Sequence, residues 1–146
     1  MLHNMIPLLF LILNSGTALM QDQHDKVVVV DLTDIRSREG KIIISIYDDP
    51  ETFPDDEEMM EQRILKDITG ETMKIRFEQL TTGTYAIAAM HDENGDEKMN
   101  FNLMGMPKEG YCFSNNVRPK LRRPRWDEAK FKVGEKDTLI RIEMKY

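Results

Sequence analysis

Apolar and polar residues alternate with period two over much of the chain. Met73, Ile75 and Phe77 alternate with Lys74 and Arg76; Ala129, Phe131 and Val133 with Lys130 and Lys132; Ile140, Ile142 and Met144 with Arg141, Glu143 and Lys145. In a strand, successive side chains point to opposite faces, so each pattern predicts a strand packed on one side, the habit of antiparallel sheets. Ile42, Ile44 and Ile46 likewise face away from Ile43, Ser45 and Tyr47, and residues 27–30 are an unbroken valine run. Residues 36–40 between these two segments read as a hairpin connection. Residues 64–68, closed by Gly70, form a weaker strand, and residues 85–90 an Ala-rich apolar one. About seven short strands and no long helix predict an all-β chain folded as a single antiparallel β-sandwich.

The segment Leu80-Thr81-Thr82-Gly83-Thr84-Tyr85 supports a sandwich. Gly83 is expected to supply a turn conformation that other residues resist. Tyr85 can then enter the core while its hydroxyl bonds back to the turn, as in a tyrosine corner. The plainer alternative is an ordinary core tyrosine after an ordinary turn.

Residues 1–20, MLHNMIPLLFLILNSGTALM, carry no charged side chain. An apolar run over residues 6–13, broken only by Pro7, leads into small and polar residues. This is the layout of a secretory signal peptide, cleaved after Ala18 or near Met20, although Lys and Arg are missing from its start. The run is about half of the ~20 residues a membrane span needs. A buried strand or helix is the alternative. The expected organisation is a cleaved signal over residues 1–20 and one β-sandwich domain over 21–146, exported to the periplasm or cell exterior, with no transmembrane segment in the mature chain.

Composition narrows the function. The 146 residues hold 20 Lys+Arg against 26 Asp+Glu, a formal net charge of −6, which argues against nucleic-acid binding. The single cysteine, Cys112, excludes an intramolecular disulfide and any Cys-based zinc or iron–sulfur cluster. No phosphate-binding glycine loop, HExxH or GxSxG occurs.

Residues 91–127 show no periodicity yet contain Phe101, Leu103, Met104, Met106, Tyr111, Phe113 and Trp126. Connections longer than about 15 residues are usually functional or disordered, and this apolar content argues for order. At its start, Asp92, Asn94, Asp96 and Asn100 fall at positions 1, 3, 5 and 9 of an EF-hand-like loop, with the Lys98 carbonyl at position 7. Hard oxygens converging on one point suit Ca²⁺. Glu97 stands where such a loop has Gly, and Leu103 where it has a bidentate acid, so affinity should be weak. The alternative is an Asx-rich turn whose side chains cap their own amides.

Three segments of the chain resemble the bacterial family called domain of unknown function 2141: Gly83-Thr84-Tyr85-Ala86-Ile87-Ala88-Ala89-Met90-His91-Asp92-Glu93-Asn94, Leu103-Met104-Gly105-Met106-Pro107-Lys108-Glu109-Gly110-Tyr111 with Phe113-Ser114-Asn115-Asn116, and Pro124-Arg125-Trp126-Asp127-Glu128-Ala129-Lys130-Phe131. Order and spacing agree, over about residues 26–146. The resemblance implies an exported, Ig-like or transthyretin-like sandwich, and no known reaction. The family pattern has Asn-Gly after the first loop Asn and closes with Asp. Here Asp96, Glu97 and Asn100 stand instead, and Cys112 replaces a usual Gly.

Arg118, Lys120, Arg122, Arg123 and Arg125 form a basic stretch kept extended by Pro119 and Pro124. It could meet anionic lipid or glycan, or pair with the acidic segment of residues 48–61. Met90, His91, Met99, Met104, Met106 and Cys112 are a soft set of the kind Cu(I) selects, or adaptable apolar filler. Cys112 with His91 would be the pair for a small thiol enzyme or hydrolase, with no orienting third group indicated.

The leading expectation is an exported, non-catalytic binding or structural module of the cell envelope. Asp92, Asn94, Asp96, Lys98 and Asn100 would brace its loop, with or without Ca²⁺. Tyr111, Phe113, Asn115, Asn116, Arg122, Arg123, Arg125 and Trp126 would contact an envelope protein or anionic glycan.

Overall fold

A computed structural model describes residues 26–55, 60–120 and 122–146. The expected signal segment, and the acidic residues 56–58, lie outside the described residues. The strands are β1 (Lys26–Thr33), β2 (Lys41–Tyr47), β3 (Gln62–Asp67), β4 (Met73–Leu80), β5 (Gly83–Asp92), β6 (Gly110–Phe113), β7 (Phe131–Val133) and β8 (Thr138–Glu143), with one short helix, α1 (Trp126–Ala129). They form two sheets, β4-β1-β8 and β3-β2-β5-β6, with β7 continuing the β6 edge of β5. The chain is an all-β sandwich.

The core lies between the sheets. Val28, Val30 and Leu32 of β1, Ile75 and Phe77 of β4 and Ile142 of β8 meet Ile42, Ile44 and Ile46 of β2 and Ile87 of β5, all essentially inaccessible to solvent. Strand alternation holds where it was cleanest: Met73, Ile75 and Phe77 are buried while Lys74 and Arg76 are exposed. In β2 it fails, because every residue from Ile42 to Tyr47 is buried. The outer face of that sheet is also covered. Phe53 stands at the centre of the cover, with ring centroids 5.5 Å from Tyr47, 5.9 Å from Trp126 and 6.2 Å from Phe113. Ala86 and Ala129 are buried beneath it, and α1 brings Trp126 and Ala129 onto this face.

Two local expectations are corrected. Residues 36–40 do not close a hairpin: β1 pairs with β4 and β8, β2 with β3 and β5, so this segment crosses between sheets. One pairing is parallel, β1 with β8, from Val28 opposite Thr138 to Thr33 opposite Glu143. Chain order alone could not reveal it, because the two strands are separated by the whole second sheet.

The tyrosine corner is present: the Tyr85 hydroxyl lies 3.1 Å from both the carbonyl and the hydroxyl oxygen of Thr81. The role of Gly83 is corrected, since its φ is not left-handed; a Cβ there would meet the Tyr85 ring at 3.2 Å. The glycine gives the ring room. Ser114 joins β6 to β7 along the edge of β5. Its hydroxyl accepts from the Ile87 N–H at 2.9 Å and donates to the Ala129 carbonyl at 2.6 Å, filling the gap between the two short ladders.

Candidate functional site: a carboxylate-anchored hairpin

After β5 the chain leaves the sandwich, turns through residues 93–109 and returns as β6. Asp92, 1% exposed, begins the excursion and Glu109, 5% exposed, ends it. A buried carboxylate is costly unless its oxygens are satisfied, and here backbone N–H groups of the loop satisfy them. Asp92 Oδ1 accepts from the Gly95 N–H at 2.9 Å and Oδ2 from the Glu97 N–H at 3.0 Å. Glu109 Oε1 accepts from the Glu93 N–H at 3.2 Å and Oε2 from the Asn100 N–H at 3.1 Å.

The Asx residues continue the pattern. Asn94 Oδ1 accepts from the Asp96 N–H at 3.0 Å, and Asp96 Oδ1 from the Lys98 N–H at 2.9 Å. Asn100 donates to Asp96 Oδ2 at 3.0 Å, and its Oδ1 accepts from Asn94 at 2.6 Å. The Asn100 side chain first, and the Lys98 N–H next, hold the Asp96 carboxyl below the usual carboxylate range. Asn94, Asp96, Lys98 and Asn100 are thus linked by hydrogen bonds, Lys98 through its N–H rather than the expected carbonyl, while Asp92 bonds the N–H groups of Gly95 and Glu97.

The convergent oxygens, however, are those of Asp92, Asp96 and Glu109, whose ligand atoms all lie within 4.8 Å of one another. Glu109 was missed because it follows an inserted hairpin, beyond the spacing at which a closing acid is sought. It brings to this point an acid that Leu103 cannot supply. Three carboxylates this close repel one another, and each oxygen keeps a second lone pair, so the set suits a hard cation such as Ca²⁺.

The inserted hairpin spans residues 100–108. The Lys108 N–H donates to the Asn100 carbonyl at 2.8 Å, and Phe101 bridges Pro107. At the tip, Asn102 Oδ1 accepts from the N–H groups of Met104 at 2.9 Å and Met106 at 3.0 Å. The Asn102 N–H donates to the Met106 carbonyl, and the Gly105 N–H to the Asn102 carbonyl, each at 2.9 Å. Gly105 has a φ of 75°, which glycine adopts without strain. This frame presents apolar side chains outward: Leu103 is fully exposed, Met104 80%, Phe101 57% and Met106 46%.

Beside the anchor, His91 is wholly buried on β5. A carbonyl can only accept, so Nε2–H donates to the Glu39 carbonyl at 2.8 Å; Nδ1 then accepts from the Tyr146 hydroxyl at 2.7 Å. That hydroxyl accepts in turn from the Arg36 N–H at 3.1 Å. The Arg36 guanidinium lies 4.3 Å over the Tyr146 ring and pairs with Glu93, holding the Glu93 carboxyl below its usual range. Both nitrogens of His91 are thus engaged within the fold. Cys112 is buried in the core, and burial pushes its thiol up, the inert condition for a cysteine. The soft set is divided: Cys112 lies inside while Met104 and Met106 are on the hairpin.

The residues expected to form a contact surface are exposed or half-buried, and most of them also bond or pack within the fold. Asn115 donates to the carbonyls of Glu128 and Lys130 at 3.1 and 2.9 Å, and Asn116 Oδ1 accepts from the Glu143 N–H at 2.8 Å. Phe113 and Trp126 pack on Phe53, and Tyr111 lies 5.9 Å from Phe113. Arg122 forms a two-pronged pair with Glu128, at 2.6 and 2.9 Å, and Arg125 reaches the same carboxylate at 3.3 Å. Glu128 also accepts from the Arg125 N–H at 3.0 Å, and the Arg122 pair above all lowers its carboxyl to a pKa of about 2. Arg118 pairs with Glu143 at 2.7 Å, and Arg123 with Asp55, the one described pairing of the basic stretch with the acidic segment.

Among the described residues no helix is long and apolar enough to cross a membrane. No curated protein and no solved structure matches the chain. A family model does match, over residues 30–141, which takes in both sheets and the anchored hairpin. The chain belongs to DUF2141, a family described as uncharacterized proteins conserved in bacteria.

Proposed function

We propose that this protein is an exported, non-catalytic binding module of the bacterial cell envelope, and that the hairpin of residues 100–108 is its binding end. One observation carries the reading: Phe101, Leu103, Met104 and Met106 stand in solvent on a frame whose root is fixed by two buried carboxylates. Exposed apolar side chains gathered on a rigid projection are what a recognition surface needs. Export is supported by the signal-like pattern of residues 1–20. In this reading Asp92, Asp96 and Glu109 are the brace, and Ca²⁺ is the cation the brace suits. Arg122, Arg125, Asn115 and Asn116, engaged within the fold, stabilise the outer face.

Sedimentation with an isolated bacterial cell-envelope fraction tests this. The wild-type chain is expected to be retained, L103S/M104S released, and R122A/R123A retained. Retention of L103S/M104S at the wild-type level would overturn the reading.

A further inference from the structure

Four features of the hairpin tip say what it meets. First, most of its backbone donors are satisfied. The N–H groups of Asn102, Met104, Gly105 and Met106 all bond within the tip, and Pro107 has none to satisfy. Leu103 is the one tip residue whose N–H lacks such a partner, so the side chains can leave water while that N–H stays at the wet boundary, and few donors face the cost of placing irregular backbone in an apolar phase. Second, the tip is convex. Leu103 and Met104 project outward rather than lining a cleft, so the complementary surface must close around them. Third, the side chains are leucine and flexible methionines, which adapt to a soft environment. Fourth, charge is placed at the root: exposed Lys108 pairs with Asn100, and exposed Lys98 lies two residues before Asn100 in the chain.

We propose that the tip docks on a zwitterionic phospholipid surface. Leu103 and Met104 enter the apolar layer, and Lys98 and Lys108 lie at the level of the headgroup phosphates. The proposal rests on the reading of the hairpin as the binding end, and names its partner. The net charge of −6 disfavours a strongly anionic surface.

The test is sedimentation of the full chain with vesicles of phosphatidylethanolamine and phosphatidylcholine. Because every variant shares residues 1–25, differences between variants report the tip. L103S/M104S is expected to lower vesicle partitioning at least about tenfold. L139S, which alters another exposed apolar side chain on β8, should leave it unchanged. An L103W reporter should shift its emission to shorter wavelength when vesicles are added. If L103S/M104S partitions like wild type, the proposal is overturned. If wild type ignores vesicles yet is retained by the envelope fraction through its tip, the lipid partner is wrong and the binding-end reading stands. If neither depends on the tip, both fall. A dimer in sedimentation velocity that L103S/M104S abolishes would make a second copy the occupant instead.

Discussion

Replacing Glu109 tests how the hairpin is held. Its carboxylate is 5% exposed and accepts from two backbone N–H groups, at 3.2 Å from Glu93 and 3.1 Å from Asn100. A hydrogen bond to a charged group contributes about 1.5–3 kcal/mol, and a stranded buried donor costs about 1–3 kcal/mol. Glu109→Ala removes both acceptors at once. Against this, it relieves repulsion from Asp92 and Asp96, worth about 1 kcal/mol or more at their separation. The expected net loss is about 2–3 kcal/mol. Glu109→Gln keeps one acceptor oxygen but turns an amide donor toward the other N–H, so about half that loss is expected. Urea unfolding gives the global value. Native-state hydrogen exchange at Glu93, Asn100 and Lys108 gives the local one, with exchange speeding about tenfold for each 1.4 kcal/mol. A change under about 0.5 kcal/mol in Glu109→Ala, with exchange unaltered, would refute the anchoring argument. So would a clear gain in stability, which would mean that repulsion dominates.

Other consequences are as direct. Tyr146→Phe removes the hydroxyl between the Arg36 N–H and buried His91 Nδ1; a loss of about 1–3 kcal/mol in urea unfolding is expected. Gly40, at φ 67°, lies where a Cβ would fall 1.8 Å from the Asp92 carbonyl oxygen; Gly40→Ala should therefore displace the root of the loop, read as shifts of the Asp92 and Glu93 amide resonances. The folded pKa of Glu128, about 2, lies below the usual value near 4.3. Its contribution is therefore complete above about pH 5 and lost as pH falls toward 2; Glu128→Gln should flatten that part of the stability–pH curve. Millimolar Ca²⁺ should raise the unfolding midpoint by roughly 3–5 °C if it occupies the brace, and Asp92→Ala should abolish the rise.

The strands were legible because their periodicity is a local consequence of one-sided burial. Met73, Ile75 and Phe77, and Ile140, Ile142 and Met144, show it directly. β2 was harder, since Phe53 and its partners bury its second face from elsewhere in the chain. The crossover at residues 36–40 looks like a hairpin in sequence because both connections join two apolar runs; only the partners of β1 and β2 distinguish them. In the candidate site, Asp92 and Asp96 were found by their Asx spacing. Glu109 was not, because the hairpin of residues 100–108 separates it from its partners in sequence while returning it to them in space. For the basic stretch, charge density in sequence does not say which partners its arginines find; Glu128, Glu143 and Asp55 pair with Arg122, Arg118 and Arg123 in the fold.

The most direct test maps the binding face itself. The isotopically labelled chain would be titrated with isolated envelope fraction and its backbone amide resonances followed. The account predicts selective loss of intensity at Phe101, Leu103, Met104 and Met106, with Asn115, Asn116, Arg122 and Trp126 little affected. Selective loss at Asn115, Asn116, Arg122 and Trp126, with the hairpin unperturbed, would contradict it.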